Sequence, residues 1–287
     1  MTERGRTAVP PAAHPEEVRP LSAHDFEQIR RLAHRIFGLD LKPGKEELVV
    51  SRLGRLVRNG GFRSFQEYYK NVVGDSTGAA LTGMIDALTT NHTAFLREAD
   101  HFEFLRREVL PAFAGRDSTE IWCAACSTGE EVWTLACVLN DAGVRQPRIL
   151  GSDISTRALQ LAARAAYPSE RCAGLPKTWL SRYFTPLGQP GGGYRASSML
   201  RSQAAFRRIN LLEPISWPRR FPAIFCRNVM IYFDAATQER VVRQLSEWLE
   251  PGGHLFVGHA ESLTRIPHAL EYVQPAVYRK PGARRSR

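Results

Sequence analysis

The 287-residue chain is 43% hydrophobic and 24% charged, enough apolar material for one large cored domain with a smaller one beside it. No apolar run approaches the ~18–20 residues of a membrane span, and the first twenty residues lack the apolar core of a signal peptide, so a cytoplasmic protein without membrane insertion is expected. Five scattered cysteines exclude a disulfide framework, while the net charge of +10 admits nucleic acid, anionic membrane or an acidic protein as partner.

Residues 1–20 combine Pro, Ala and charge and read as a disordered lead. Residues 21–85 read as a helical domain. "SAHDFEQIRRLAHRIFG" carries Ser22 as N-cap and apolar residues at 26, 29, 32, 36 and 37, a helical period that stops at Gly38. "PGKEELVVSRLGRLVRNGG" is a second helix, and "SFQEYYKNVVG" and "GAALTGMIDALTTN" are two shorter ones. Residues 86–280 read as the second domain, and from residue 119 strands and helices alternate. "TEIWCAA" and "PRILGSDIS" are strands, each followed by a helix. "PAIFCRNVMIYF" is a strand running into a loop. After the helix "ATQERVVRQLSEWLEPGG", "HLFVGHAES" and "LEYVQPAVYRK" are further strands. The expected fold is α/β, a mostly parallel Rossmann-like sheet covered on both faces. Residues 174–208 break the alternation, are rich in Gly and Ser, and read as an inserted antiparallel subdomain. Residues 281–287 are a basic tail.

Ligands bind such sheets at the C-terminal strand ends. The first such loop is "AACSTGEE". Ser127 or Thr128 is placed to cap the following helix, and Gly129 lets the backbone approach a ligand. A dinucleotide pyrophosphate requires G-x-G-x-x-G and bare N–H groups here. This loop has one glycine followed by two carboxylates, Glu130 and Glu131, which repel phosphate. It suits a phosphate-free cofactor with a cationic part, and S-adenosylmethionine meets that description. Asp153 ends the second strand, where an acid accepts hydrogen bonds from ribose hydroxyls. Arg227 and Asn228 follow a third strand, with Tyr232 just beyond, and "TTNHTAFLRE" sets Asn91, Thr93 and Arg97 ahead of the sheet. Zinc sites carry a second C-x-x-C or a spaced His pair, which this chain lacks. No metal is expected, and Cys123 and Cys126 read as packing at a strand end.

The runs "TTNHTAFLRE", "AACSTGEE", "SDIS", "INLLE", "IFCRNVMIYFD" and "PGGHLFVGHAESL" together resemble the CheR-type chemotaxis methyltransferases over about residues 21–280. The resemblance implies methyl transfer from S-adenosylmethionine to glutamate side chains in the cytoplasmic domain of a chemoreceptor. By that likeness, Asn91, Thr93, Arg97, Glu131, Asp153, Asn210, Leu211, Arg227 and Asn228 contact the cofactor. Arg97 and Tyr232 lie near the reacting methyl. The family docks a basic second helix on the acidic methylation region of the receptor. Here Val49, Leu53, Leu56 and Val57 share one helix face, and Arg52, Arg55 and Arg58 are expected opposite. Some members bind a receptor tether peptide through the inserted subdomain; "PLGQPGGGYR" occupies that place without a clean G-x-G. The enzyme is expected to act as a monomer. An RNA methyltransferase would place its charge in an aromatic-interleaved patch, which the sequence lacks. A non-catalytic module would not keep every cofactor position occupied. A nicotinamide oxidoreductase lacks its glycine fingerprint.

Overall fold

The computed structural model describes residues 18–188 and 192–282. The proposed lead and basic tail therefore fall almost wholly, and the centre of the glycine turn wholly, outside the described residues. Four helices come first: α1 (Ala23–Phe37), α2 (Glu46–Asn59), α3 (Phe65–Gly74) and α4 (Ala79–Leu88). Ser22 caps α1 in a reciprocal box with Asp25, satisfying two backbone N–H groups that the helix cannot. Phe26, Ile29, Leu53, Val57, Met84 and their neighbours fill one apolar core between the four. The expected boundary at 85/86 cuts α4, because Ile85 and Leu88 both carry the helix into that core.

The second domain opens with α5 (Asp100–Phe104), which continues through a π turn and a 3₁₀ turn to Phe113. Then follow β1 (Thr119–Ala124), α6 (Glu130–Asp141), β2 (Pro147–Asp153) and α7 (Thr156–Arg164). The chain continues through β3 (Ala166–Tyr167), α8 (Ser169–Cys172), α9 (Lys177–Tyr183), β4 (Phe184–Pro186), β5 (Tyr194–Ala196) and α10 (Ser198–Ser202). Next come β6 (Ala204–Arg208), β7 (Phe221–Cys226), α11 (Ala235–Trp248), β8 (Leu249–Phe256), β9 (Glu271–Gln274) and β10 (Val277–Arg279). Seven strands form one sheet in the order β6-β2-β1-β7-β8-β10-β9, parallel from β6 to β8. Alternate residues face opposite sides: Ile121, Cys123 and Phe225 pack under α5 and α6, while Trp122, Ile224 and Cys226 pack under α11.

Three expectations change. Residues 204–208 do not belong to the inserted subdomain; they are β6, the parallel edge strand beside β2. Polar residues are tolerated there because one side of an edge strand meets water. The antiparallel subdomain is β3-β5-β4, and it begins earlier, at residue 166. The closing segment is a hairpin, with Ala276 at φ 62° turning β9 into β10, and the strand expected through "HAES" ends at Phe256.

The helical domain is fastened to the sheet domain at the end of α1. Gly38 turns at φ 76°, and a Cβ there would press on Thr237, Phe233 and Leu212 at 3.0–3.2 Å. Asn210 Nδ2 donates to Ile36 O at 2.7 Å, and Asp40 N donates to Tyr232 O at 2.9 Å. Asp234 does two jobs: it caps α11 through Thr237 N and meets His34 Nε2 at 2.7 Å. The Thr237 bonds, with His34 adding to them, hold its carboxyl down at about 2. Asp234→Ala is expected to cost about 1–2 kcal/mol in urea unfolding. Asp234→Asn, which can still cap the helix, should recover most of that loss.

Candidate active site

A cleft of about 1010 Å³, its open mouth included, lies at the C-terminal ends of β1, β2 and β7. From β1 the chain builds outward to β2 and β6, then returns to build β7 and β8 on the other side. The cleft is therefore the crevice where strand order reverses. The helical domain closes one side with Phe37, Leu39, Leu88 and Thr89. The loop after β1 contributes Glu131 and the loop after β2 contributes Asp153. The loop after β7 contributes Arg227, Asn228 and Tyr232. Asn91, Thr93 and Arg97 line it from the interdomain segment, and Asn210 and Leu211 from the segment after β6. All ten residues expected near cofactor or methyl thus meet in one cleft. The three arginines of α2 do not line it.

Arg227 organises the floor. Its side chain is 1% exposed, yet Nη1 donates to Glu131 Oε2 at 2.8 Å and Nη2 to Glu98 Oε2 at 2.9 Å. Nη2 also donates to the carbonyl of Arg97, and the guanidinium lies over the Phe102 ring. Burial raises the Glu98 carboxyl, but the Arg227 charge and bonds from Arg227 and Asn228 outweigh it and hold the group below its ordinary range. Glu131 has a second donor below it, the Cys123 thiol at 3.1 Å. Burial, with the Glu131 charge adding, pushes that thiol well up, so it stays protonated and donates. Cys123 therefore does more than fill space at the strand end.

Asp153 is 8% exposed and accepts from Ser127 N at 2.8 Å and Ser155 N at 2.9 Å. Burial nevertheless raises its carboxyl above the ordinary 3.8. Glu261, on the far side of the β7 loop, accepts from the N–H groups of Gly258, Asn228, Met230 and Ile231. It fixes the loop that presents Asn228 and Tyr232. Seven described non-glycine residues have positive φ, and five of them shape this site: Leu96, Glu98, Ala125, Ser127 and Asn228. Such strain gathers where the surrounding structure must hold a ligand surface in place.

Several residues behave differently from expectation. Neither Ser127 nor Thr128 caps α6; Gly129 stands at the cap at φ 95°, with Ala162 and Tyr167 too close for any Cβ. Glu130 turns away from the cleft, fully buried, onto Thr128 and Arg171. The Asn210 amide is spent on Ile36, Glu213 and Leu212, which leaves its backbone and not its side chain for a ligand. Arg52 is not opposite the apolar face of α2. Residues three apart drift about 60° on a helix, so Arg52 falls on the flank and Arg55 and Arg58 beyond it. Arg52 Nη1 donates to Thr89 O at 2.7 Å and to Ala87 O, whereas Arg55 and Arg58 are exposed.

The donor set fits S-adenosylmethionine. Carboxylates at Glu131 and Asp153 can meet an ammonium and a ribose, and Ile154, Ile209 and Leu211 offer an apolar wall for an adenine; of the two lining arginines, Arg227 is already paired with Glu98 and Glu131. Fold and site define an S-adenosylmethionine-dependent methyltransferase. Residues 91–278 match the family model described as CheR methyltransferase, SAM binding domain, and residues 24–89 match CheR methyltransferase, all-alpha domain. The chain belongs to the CheR methyltransferase family. It is 33% identical to a chemotaxis protein methyltransferase of Borreliella burgdorferi, covering 91% of this chain and 95% of that one. It is 38% identical to chemotaxis protein methyltransferase 2 of Pseudomonas aeruginosa, covering 88% and 92%. With the chemotaxis protein methyltransferase of Escherichia coli it shares 36% over 90% and 91%.

Asp153→Asn is expected to weaken S-adenosylmethionine binding by about tenfold or more in calorimetry, near 1.4 kcal/mol. Because burial raises the Asp153 pKa, its ionised form is lost earlier on acidification than an ordinary aspartate's. Wild-type affinity should therefore start to fall sooner on acidification than an ordinary aspartate would make it, and the Asp153→Asn variant should lose that part of the pH dependence.

Proposed function

We propose that the protein methylates glutamate side chains of a bacterial chemoreceptor in the cytoplasm, forming glutamyl methyl esters for sensory adaptation. The observation that carries this reading is the meeting of Arg97 and Tyr232 with Glu131 and Asp153 in one cleft. The relatives' names, chemotaxis protein methyltransferase, support the choice of substrate class.

The cofactor supplies an electrophilic methyl group on a sulfonium. A substrate glutamate is already ionised at neutral pH, so no general base is required of the protein. The chain's task is alignment in a partly dry cleft, which contributes several kcal/mol. Arg97 is placed for this. Its side chain is 34% exposed, its Nη1 donates to the His92 carbonyl, and Glu98 stands 4.0 Å away, so it can take up an incoming carboxylate. Tyr232 sits on a 3₁₀ turn held by the Glu261 loop and lines the approach. Glu131, gripped by Arg227 and Cys123, holds the ammonium end of the cofactor. Neutralisation of charge on methyl transfer favours a cleft that excludes water.

Arg55 and Arg58 form the receptor-facing part of α2, where an acidic helix finds two exposed guanidiniums. Arg52 serves the interdomain joint instead.

Transfer of labelled methyl to receptor-containing membranes tests the reading directly. Base-labile label on the receptor is expected, and its absence from receptors of every class would overturn the assignment. Arg97→Ala and Tyr232→Ala should each lower kcat by about 10–100-fold with the fold intact by circular dichroism. Near-normal turnover would remove either residue from the mechanism. The double change Arg55→Glu, Arg58→Glu should lower receptor methylation at limiting receptor by about tenfold or more, while calorimetric affinity for S-adenosylmethionine stays at wild type.

A further inference from the structure

Behind Glu98 lies a cluster that methyl transfer does not use. His101 is fully buried, and neither of its ring nitrogens has a hydrogen-bond partner. Leaving such groups dry and unpaired costs about 1–3 kcal/mol each. Nδ1 of His101 stands 3.5 Å from Glu98 Oε2, too far for a hydrogen bond between these atoms. The His259 ring meets the His101 ring edge-on, with centroids 4.8 Å apart. One ligand atom from each of Glu98, His101 and His259 lies within 4.8 Å of the others.

One of these distances has a simple chemical reading. In a tetrahedral zinc site with bonds of about 2.0–2.2 Å, ligand atoms stand roughly 3.3–3.5 Å apart. The Glu98–His101 separation has that length, with no hydrogen bond to close it, and the half-exposed His259 ring needs a small swing inward to complete the set. The flanking contacts are those that metal ligands keep. His259 Nε2 lies 3.0 Å from Asp100 Oδ2; a proton held between them leaves Nδ1 with its lone pair free. Glu98 is braced by Arg227 on one oxygen and Asn228 on the other. Two imidazoles and a carboxylate suit zinc over magnesium or calcium, which take oxygen ligands. The His259 side chain is 45% exposed, which gives an ion a way in.

We propose that Glu98, His101 and His259 form a zinc-binding site behind the wall of the cofactor cleft, with Asp100 orienting His259. Glu98 would then be shared between the ion and Arg227, the residue that grips Glu131. The C-x-x-C of β1 plays no part, since Cys123 and Cys126 are buried around Glu131 and Ser127. Sequence spacing hides the site because His259 arrives from a different strand end.

The test uses the untagged full chain, stripped with a chelator and titrated with zinc against a chromophoric competitor. The result expected is one zinc per chain, with affinity falling by about tenfold or more in both His259→Gln and Glu98→Gln. Circular dichroism checks that both variants are folded, and the half-exposed His259 makes the first a mild change. No zinc bound by the wild type, or a smaller loss in either folded variant, would overturn the site. The readout involves no methyl transfer, so its failure leaves the receptor reading untouched.

Discussion

A guanidinium shut away from water must have its charge answered on the spot, and Arg227 is such a group. Two carboxylates, Glu98 and Glu131, and a backbone carbonyl supply the answer. They come from two segments, the one ahead of α5 and the start of α6, and meet Arg227 just beyond the end of β7. Removing either acid would leave a buried charge poorly paired, at a cost of about 3–5 kcal/mol. The pairing therefore fixes where Glu131 points and, through the carbonyl of Arg97, where that residue's side chain starts. Much of the cleft takes its shape from this one ion.

The strained backbone around it follows from the same demand. Leu96, Glu98, Ala125, Ser127 and Asn228 all adopt positive φ, although none is glycine. Each such residue costs about 1–2 kcal/mol. The offset comes from contacts that strain makes possible, among them Glu98 on Arg227 and Ser127 N on Asp153. Glu261 adds four N–H bonds to hold the loop at Asn228.

Where a residue's role depends on strand order and local period, the sequence was readable. The Ser22 cap, the α1 stop at Gly38, the strand-end positions of Asp153 and Arg227, and the single glycine ahead of two acids all follow from short-range rules. Which of the two acids faces the cleft does not. Helical rotation sends Glu130 and Glu131 apart, and Arg171 from the inserted subdomain takes up the first. Glu98, the Cys123 thiol and Arg52 are not legible for a common reason: their partners, Arg227, Glu131 and Thr89, lie on other elements and meet them only in the folded chain. Residues 204–208 read as part of the insert because an edge strand with polar residues lacks the apolar run of a central one. The helix at residue 100 carries no clear sequence signal because its apolar residues run into an irregular π turn.

Arg52 has a consequence for the architecture as a whole. The few residues after α4 join the two domains, wall the cofactor cleft through Thr89, Thr90 and Asn91, and accept the Arg52 guanidinium from α2. Ordinary interdomain linkers tolerate insertion and drift in length. This one has contacts on both sides, so adding or deleting a residue would shift α2 against the cleft. The outer face of α2 can therefore vary by side-chain exchange while its distance from the cofactor cleft is held constant.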